Sequence, residues 1–164
     1  MRSEDLKITE LNGEYSVEVS GRANFDYAVP LRELSGKLGD SGNLRIDLSK
    51  CEAMDSTFMG VLTMLALKLR KRGEQVMLIG AGETLLKLLR DLGVAKLFNC
   101  VKDGDLPTGN AVITSGSSAS MLTTAETVAD AHKALVGANE ANAEKFKQVI
   151  EFADQDVARL KKEQ

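Results

Sequence analysis

Three consecutive polar residues, Asp55, Ser56 and Thr57, precede an apolar run, and their types and spacing could do chemistry. A serine beside an acidic residue, after a strand and before a helix, could be a nucleophile. It could equally cap the helix, because side-chain oxygens of Asp and Ser accept hydrogen bonds from the N–H groups of a first helical turn. A cap needs only one of Asp55 and Ser56, so it leaves hydroxyl groups without an explanation.

The sequence gives little support to catalysis at Ser56. The G-x-S-x-G pattern is missing, because Met54 and Phe58 stand where the glycines would be. The only histidine, His132, falls in a distant helical segment, and we expect it at the surface or in a helix seam with no ligand role. The stretch GAGETLLK resembles part of a dinucleotide loop but lacks its third glycine. We therefore expect no enzyme, no cofactor and no metal.

A hydroxyl before a helix also suits a phosphate. Free N–H groups and the positive end of the helix dipole favour an anion there. A phosphate would add about −1.5 to −2 of charge beside Asp55. Such a change could release a partner without unfolding the domain.

Composition excludes several classes of protein. The 164 residues include 21 Lys and Arg against 24 Asp and Glu, a net charge of −3, whereas a nucleic-acid binder normally carries a basic excess. No run approaches the roughly 18 apolar residues that span a bilayer. The start, MRSEDLKITE, is charged and unlike a signal peptide. These features predict a soluble cytoplasmic protein without a membrane span and without a nucleic-acid partner.

The N-terminal third alternates between strand and helix patterns. LKITELNGEYSVEVSG predicts two strands joined by a tight turn at Asn12-Gly13. FDYAVPLRELSGKL predicts a helix, with Pro30 expected in its first turn. NLRIDLS, at 43–49, predicts a short strand with its apolar residues on one side.

The next segments continue the alternation. An apolar stripe at helical spacing predicts a helix from about 57 to 72, ended by Gly73. EQVMLIGA is nearly continuous in apolar residues, which is typical of a central strand buried on both faces. GETLLKLLRDLG predicts another helix, and LFNCV a last strand. The order ββαβαβαβ indicates the α/β class with a mixed sheet, partly parallel, and helices packed on it.

Composition changes after the last of these strands. Residues 103–120 are rich in Gly, Ser and Thr, which predicts a linker, with a short strand at 111–114 left open. Two further helices follow, each apolar on one side, and predict a helical hairpin. It could pack on its own domain, on a second copy or on a partner. The predicted division is a domain at 1–105, a linker at 106–119 and a helical extension at 120–164.

The segment from Leu44 to Phe98 resembles the STAS domain of bacterial anti-sigma factor antagonists. The shared pattern is a strand ending in D-L-S, then D-S-[ST]-x-x-G, a helix, a glycine, a strand, a helix and Leu-Phe. The resemblance covers about residues 5–103. It implies a STAS-like fold for that part and leaves the helical extension outside the common domain.

The resemblance also implies a function. In that family the serine after the aspartate is phosphorylated by a kinase that is also an anti-sigma factor, and a serine phosphatase removes the phosphate. The unphosphorylated antagonist binds the kinase and frees the sigma factor, which regulates transcription. Carried over, the phosphorylated residue is Ser56, with Thr57 as second choice. The implied partner-binding residues are Asn24, Asp55, Thr57, Met59 and Gly60.

Two positions differ from the family pattern, and a second function stays open. Asn24 stands where the family tends to carry an acidic residue, and Phe58-Met59-Gly60 replaces a common Gly-Leu-Gly. Met59 could face a partner or pack on a neighbouring helix. The alternative function is a constitutive STAS scaffold, or an accessory subunit of a transporter or sensory assembly, which acts through the helical extension. That extension could also form a homodimer.

Overall fold

The computed structural model describes residues 5–38, 43–104, 110–114 and 120–163. The strands are β1 (Asp5–Leu11), β2 (Glu14–Ala23), β3 (Leu44–Met54), β4 (Val76–Ile79), β5 (Phe98–Val101) and β6 (Asn110–Thr114). The helices are α1 (Phe25–Lys37), α2 (Ser56–Arg70), α3 (Glu83–Asp91), α4 (Met121–Ala138) and α5 (Asn142–Lys162), with a 3-10 turn at Ala95–Leu97. The predicted ββαβαβαβ order is confirmed.

The six strands form one mixed sheet in the order β5-β4-β3-β2-β1-β6. β2, β3, β4 and β5 run parallel to one another, as their connecting helices require. β1 is antiparallel to both β2 and β6. The turn between β1 and β2 has positive φ at both Asn12 (54°) and Gly13 (81°), the geometry expected of a tight Asn-Gly turn.

Two details of the prediction are wrong. Pro30 lies in the second turn of α1, because the helix already begins at Phe25 behind an Asn24 cap. β4 is second from the edge of the sheet, and its burial on both faces is incomplete, since on the second face Ile79 is buried but Met77 is only partly buried. The alternation along the strands shows that one face of the sheet is covered by helices and the other is more open.

The C-terminal helices form the predicted helical hairpin. β6 pairs with β1 at the edge of the sheet, so the strand left open at 111–114 is present. From there the chain returns, and α4 packs along α2 and α1 while α5 packs on α4. The core therefore continues from the sheet through α2 to Ala131, Leu135 and Phe146. The predicted division into domain, linker and extension stays a prediction.

Candidate functional site

Two neighbouring parallel strands end in helix caps that lie side by side. Ala23 at the end of β2 is paired with Met54 at the end of β3, and the Asp55 N–H donates to the Ala23 carbonyl at 3.0 Å. The next residues, Asn24 and Asp55, cap α1 and α2. The sheet register thus brings together Asn24 and Asp55, two of the predicted partner-binding residues.

Asp55, and not Ser56, caps helix α2. Its Oδ1 accepts from the Phe58 N–H at 2.8 Å. Burial raises the pKa of the Asp55 carboxyl, while the Phe58 N–H and the nearby His132 oppose that increase. Because Asp55 does the capping, the hydroxyl of Ser56 at the first residue of α2 is free for another partner.

That partner is His132 of α4. The Ser56 Oγ lies 2.8 Å from the His132 Nε2. The other ring nitrogen, Nδ1, lies 2.7 Å from the Val128 carbonyl oxygen. A carbonyl can only accept, so the hydrogen-bond network assigns the proton of a neutral ring to Nδ1. The Ser56 hydroxyl then donates to Nε2.

The environment favours the neutral form of the His132 ring. The residue is only 2% exposed, and its ring meets the Phe146 ring edge-on with centroids 4.9 Å apart. Burial lowers the pKa of the His132 imidazole, and the Val128 carbonyl and the Asp55 carboxylate only partly compensate. Proton uptake at His132 therefore carries a free-energy cost in this arrangement.

Gly60 allows α4 to approach the same side of α2. It lies four residues after Ser56, one helical turn away on the same side. A Cβ at Gly60 would collide with the backbone carbonyl and the side chain of Ala131. Ala131 immediately precedes His132, so the close approach at Gly60 also brings the imidazole to Ser56. We call this side of α2 the Ser56–Gly60 face.

Polar contacts hold the helical hairpin at the middle of α4 and just beyond its C-terminal end. Arg32 of α1 forms an ion pair of 2.7 Å with Asp130. At the far end, the buried Asn142 Nδ2 donates to the carbonyl oxygens of Leu92 and Leu135, both at 2.9 Å. A buried amide that loses such partners costs about 1–3 kcal/mol, so these bonds fix the position of the helical hairpin.

Three of the predicted partner-binding residues are buried. Thr57 and Met59 are 7% and 5% exposed, and Gly60 is buried beneath Ala131. Asn24 and Asp55 remain partly accessible, beside the exposed ring of Phe25. The structure therefore separates the predicted residues into an accessible group at the two caps and a covered group along α2.

His132 lies in a helix seam, one of the two places expected for it, but the expectation that its segment is distant from Ser56 is wrong. The chain between them returns through β6, and α4 runs back over α2. Sequence reasoning therefore missed the residue that contacts Ser56. A usable signal existed: His132 falls on the apolar stripe of its helix, beside Ala131 and three residues before Leu135, where a buried polar side chain needs a partner.

A serine hydroxyl bonded to a neutral imidazole is the arrangement of a nucleophile and its base. Here the pair lies where α4 packs along α2, and the Phe146 ring of α5 contacts the His132 ring, while Ser56 itself stays partly exposed. Among the residues that the structure describes, no cluster of His, Cys, Asp and Glu could hold a metal ion. Within the same described ranges, none of the helices is both long enough and apolar enough for a bilayer crossing.

Comparison with known proteins identifies the sheet domain. The family described as "Mlab, STAS domain" matches residues 8–101, more than half of the chain. No curated protein matches the chain in sequence.

Two solved structures are similar to the chain at low identity. The anti-sigma factor antagonist SpoIIAA in its unphosphorylated form is 13% identical, with a TM-score of 0.44 over 52% of this chain and 81% of that protein. The murine Slc26a9 anion transporter in the inward-facing state is 15% identical, with a TM-score of 0.47 over 62% of this chain and 21% of the transporter.

Proposed function

Because the chain belongs to the STAS domain family, as predicted, we propose that it is a non-enzymatic signalling protein whose partner is selected by phosphorylation of Ser56. The unphosphorylated form binds a serine protein kinase that acts as an anti-sigma factor. Phosphorylation releases that partner, and a serine phosphatase restores binding. We place this cycle in the bacterial cytoplasm, where it regulates transcription.

One observation carries the proposal: Ser56 offers a hydroxyl that α2 does not use. Asp55 caps the helix, so Ser56 can change its chemistry without loss of the cap. A phosphate at the first residue of α2 would meet the positive end of the helix dipole. It would also add charge next to Asp55 and Asn24, the accessible part of the predicted partner surface.

The test compares Ser56→Ala with Ser56→Asp for binding to the anti-sigma kinase of the same organism. We expect Ser56→Ala to bind like unmodified protein and Ser56→Asp to lose at least about tenfold in affinity, or 1.4 kcal/mol. Thr57→Val, which removes the neighbouring hydroxyl at nearly constant volume, is the matched control and should stay phosphorylatable. Equal binding by all three variants, with no phosphate found at position 56 in cells, would contradict the proposal.

The Ser56–His132 pair is a reason to test the absence of catalysis directly. An activated serine reacts with a fluorophosphonate probe. We expect no labelling of Ser56, because α4 packs against α2 at this residue and the His132 ring occupies that side of the Oγ. Labelling that disappears in Ser56→Ala and in His132→Gln would show a working nucleophile and overturn the non-enzymatic assignment.

A second candidate, the constitutive scaffold, is favoured by the outer side of the helical hairpin. There α4 and α5 form an apolar groove of about 530 Å³. Three of its lining residues, Met121, Val149 and Phe152, are exposed, Phe152 by 63%. An exposed apolar groove of this kind is typical of a docking surface.

This candidate predicts assembly that does not depend on Ser56. Phe152→Glu should abolish a homodimer or the attachment to a fixed subunit of a transporter or sensory assembly. Ser56→Asp should leave both unchanged. A chain that is monomeric at about 100 μM and has the same partners after Phe152→Glu excludes the scaffold.

A further inference from the structure

The Ser56–Gly60 face is a docking surface for a helix, and in this chain α4 occupies it. Gly60 has no side chain and allows close approach of a helix backbone, and Ser56 provides a hydrogen-bond donor. A helix fits when it places a small residue over Gly60 and an acceptor one residue later. In α4 those residues are Ala131 and His132, both buried.

The closed arrangement depends on the hydrogen atom of the Ser56 hydroxyl. Nδ1 of His132 is committed to the Val128 carbonyl, so Nε2 presents a lone pair to Ser56. Phosphoryl transfer forms a bond between Oγ and the γ-phosphorus of a nucleoside triphosphate, breaks the bond from that phosphorus to the diphosphate, and passes the hydroxyl proton to the kinase's base. The ester oxygen and the three oxygens of the phosphate dianion can only accept, so they face an acceptor while the His132 ring is neutral.

Space on the α4 side of Ser56 is restricted as well. The Ser56 Oγ and the His132 Nε2 are already at hydrogen-bond distance, and one turn further along α2 the backbone of α4 blocks any added atom at Gly60. The start of α2, in contrast, favours the added charge. Helix α2 can therefore carry the phosphate, whereas α4 cannot remain where it is.

We propose that closure of the helical hairpin and modification of Ser56 exclude each other, so the α4–α5 hairpin competes within the chain against the kinase and against any partner helix for the Ser56–Gly60 face. This inference rests on the proposed function for the identity of the modification. By linkage, closure disfavours the modified state at equilibrium by the same factor by which modification disfavours closure. A partner's apparent affinity falls with the fraction of open molecules.

The experiment measures amide hydrogen exchange of the full chain and of two glutamate variants. Ser56→Glu places negative charge and bulk under α4, and Glu at the first position of a helix suits α2 itself. Thr84→Glu is the matched control, since Thr84 is an exposed hydroxyl in the first turn of α3. We expect exchange in α4 and α5 to become about tenfold faster, or more, in Ser56→Glu alone, with the strands β2 to β4 still protected.

A second pair of variants tests opening of the helical hairpin by an uncharged side chain. Ala131→Leu forces bulk against Gly60, whereas Ala125→Leu makes the same change at the outer groove. We expect Ala131→Leu to reproduce the faster exchange and Ala125→Leu to leave it unchanged. Should Ser56→Glu and Ala131→Leu keep α4 as protected as in the unmodified chain, the exclusion is wrong.

The outcome is separable from that of the proposed function. If Ser56→Glu opens the helical hairpin but Ser56 carries no phosphate in cells, the competition stands and the kinase switch fails. If Ser56→Glu stays closed while Ser56→Asp still loses the kinase, the switch stands and the competition fails.

Discussion

The starts of α2 and α3 occupy equivalent places in the fold but differ in chemistry. Both helices follow a parallel strand and begin at the same edge of the sheet. Helix α2 has an aspartate cap, whereas α3 begins behind Gly82, which has no side-chain oxygen. The fifth residue is Gly60 in α2 and the 70%-exposed Lys87 in α3. Topology therefore provides two similar helix starts, and the helix packed over α2 distinguishes the candidate site.

The largest expected effect comes from the covering residue. His132→Ala removes a buried ring from Phe146 and leaves the Ser56 hydroxyl without its acceptor. We expect a loss of about 2–3 kcal/mol in the free energy of unfolding. Thr84→Ala, at the open start of α3, should change it by less than about 0.5 kcal/mol. Urea denaturation measures both, and an equal effect of the two substitutions would remove the distinction.

The second largest effect on stability is expected at Gly60, where α4 approaches α2 most closely. The higher helix propensity of alanine should stabilise α2 by about 1 kcal/mol in Gly60→Ala. The new Cβ would, however, clash with the backbone of α4. Because backbone cannot rotate away, we expect a net destabilisation of about 1–2 kcal/mol. Lys87→Ala, the equivalent change in α3, should be nearly neutral. A stabilised Gly60→Ala protein would show that α4 does not lie against this residue.

Substitutions at the N-caps of α2 and α3 should change the free energy of unfolding by smaller amounts and in opposite directions. Asp55→Ala should cost about 1 kcal/mol, because the Phe58 N–H loses its acceptor. Gly82→Ser should gain a few tenths of a kcal/mol, since φ is −74° and no described atom lies within 4 Å of its future Cβ. Thermal unfolding of both variants measures the difference. Identical shifts would mean that Asp55 does not act as the cap.

The smallest expected effect is a pH dependence near neutrality. The pKa of His132 is lower in the folded chain than its ordinary value of about 6.5. The unfolded chain therefore binds more protons in that range, and the free energy of unfolding falls as pH drops below about 6.5. The raised pKa of Asp55 acts in the opposite direction, in a window that begins at 3.8. His132→Gln should flatten the slope between pH 7.5 and 6, and an unchanged slope would contradict burial of the imidazole.

Local patterns were sufficient for the fold. The Asn-Gly turn, the alternating strands and the apolar helix stripes each follow from contacts within a few residues, and all are present. The burial of β4 was overestimated, because its apolar run does not reveal how many faces of the sheet are covered.

The contact at the candidate site could not be predicted in the same way. Ser56 and His132 are 76 residues apart, and their meeting depends on how α4 crosses α2. The sequence shows that His132 lies on an apolar stripe but not which surface that stripe covers. From the sequence, Asp55 and Ser56 were equally good candidates for the N-cap of α2. The choice of Asp55 depends on where β3 ends, at Met54, which the structure shows.

One measurement tests the central claim most directly, because the chain contains a single histidine. A long-range ¹H–¹⁵N spectrum of the imidazole should be recorded for the full chain with Ser56 unmodified and with phosphoserine incorporated at position 56. We predict a neutral ring with the proton on Nδ1 in the first sample, and in the second a ring that titrates near its ordinary value, free of α2. The same buried, neutral ring in both samples would contradict the account.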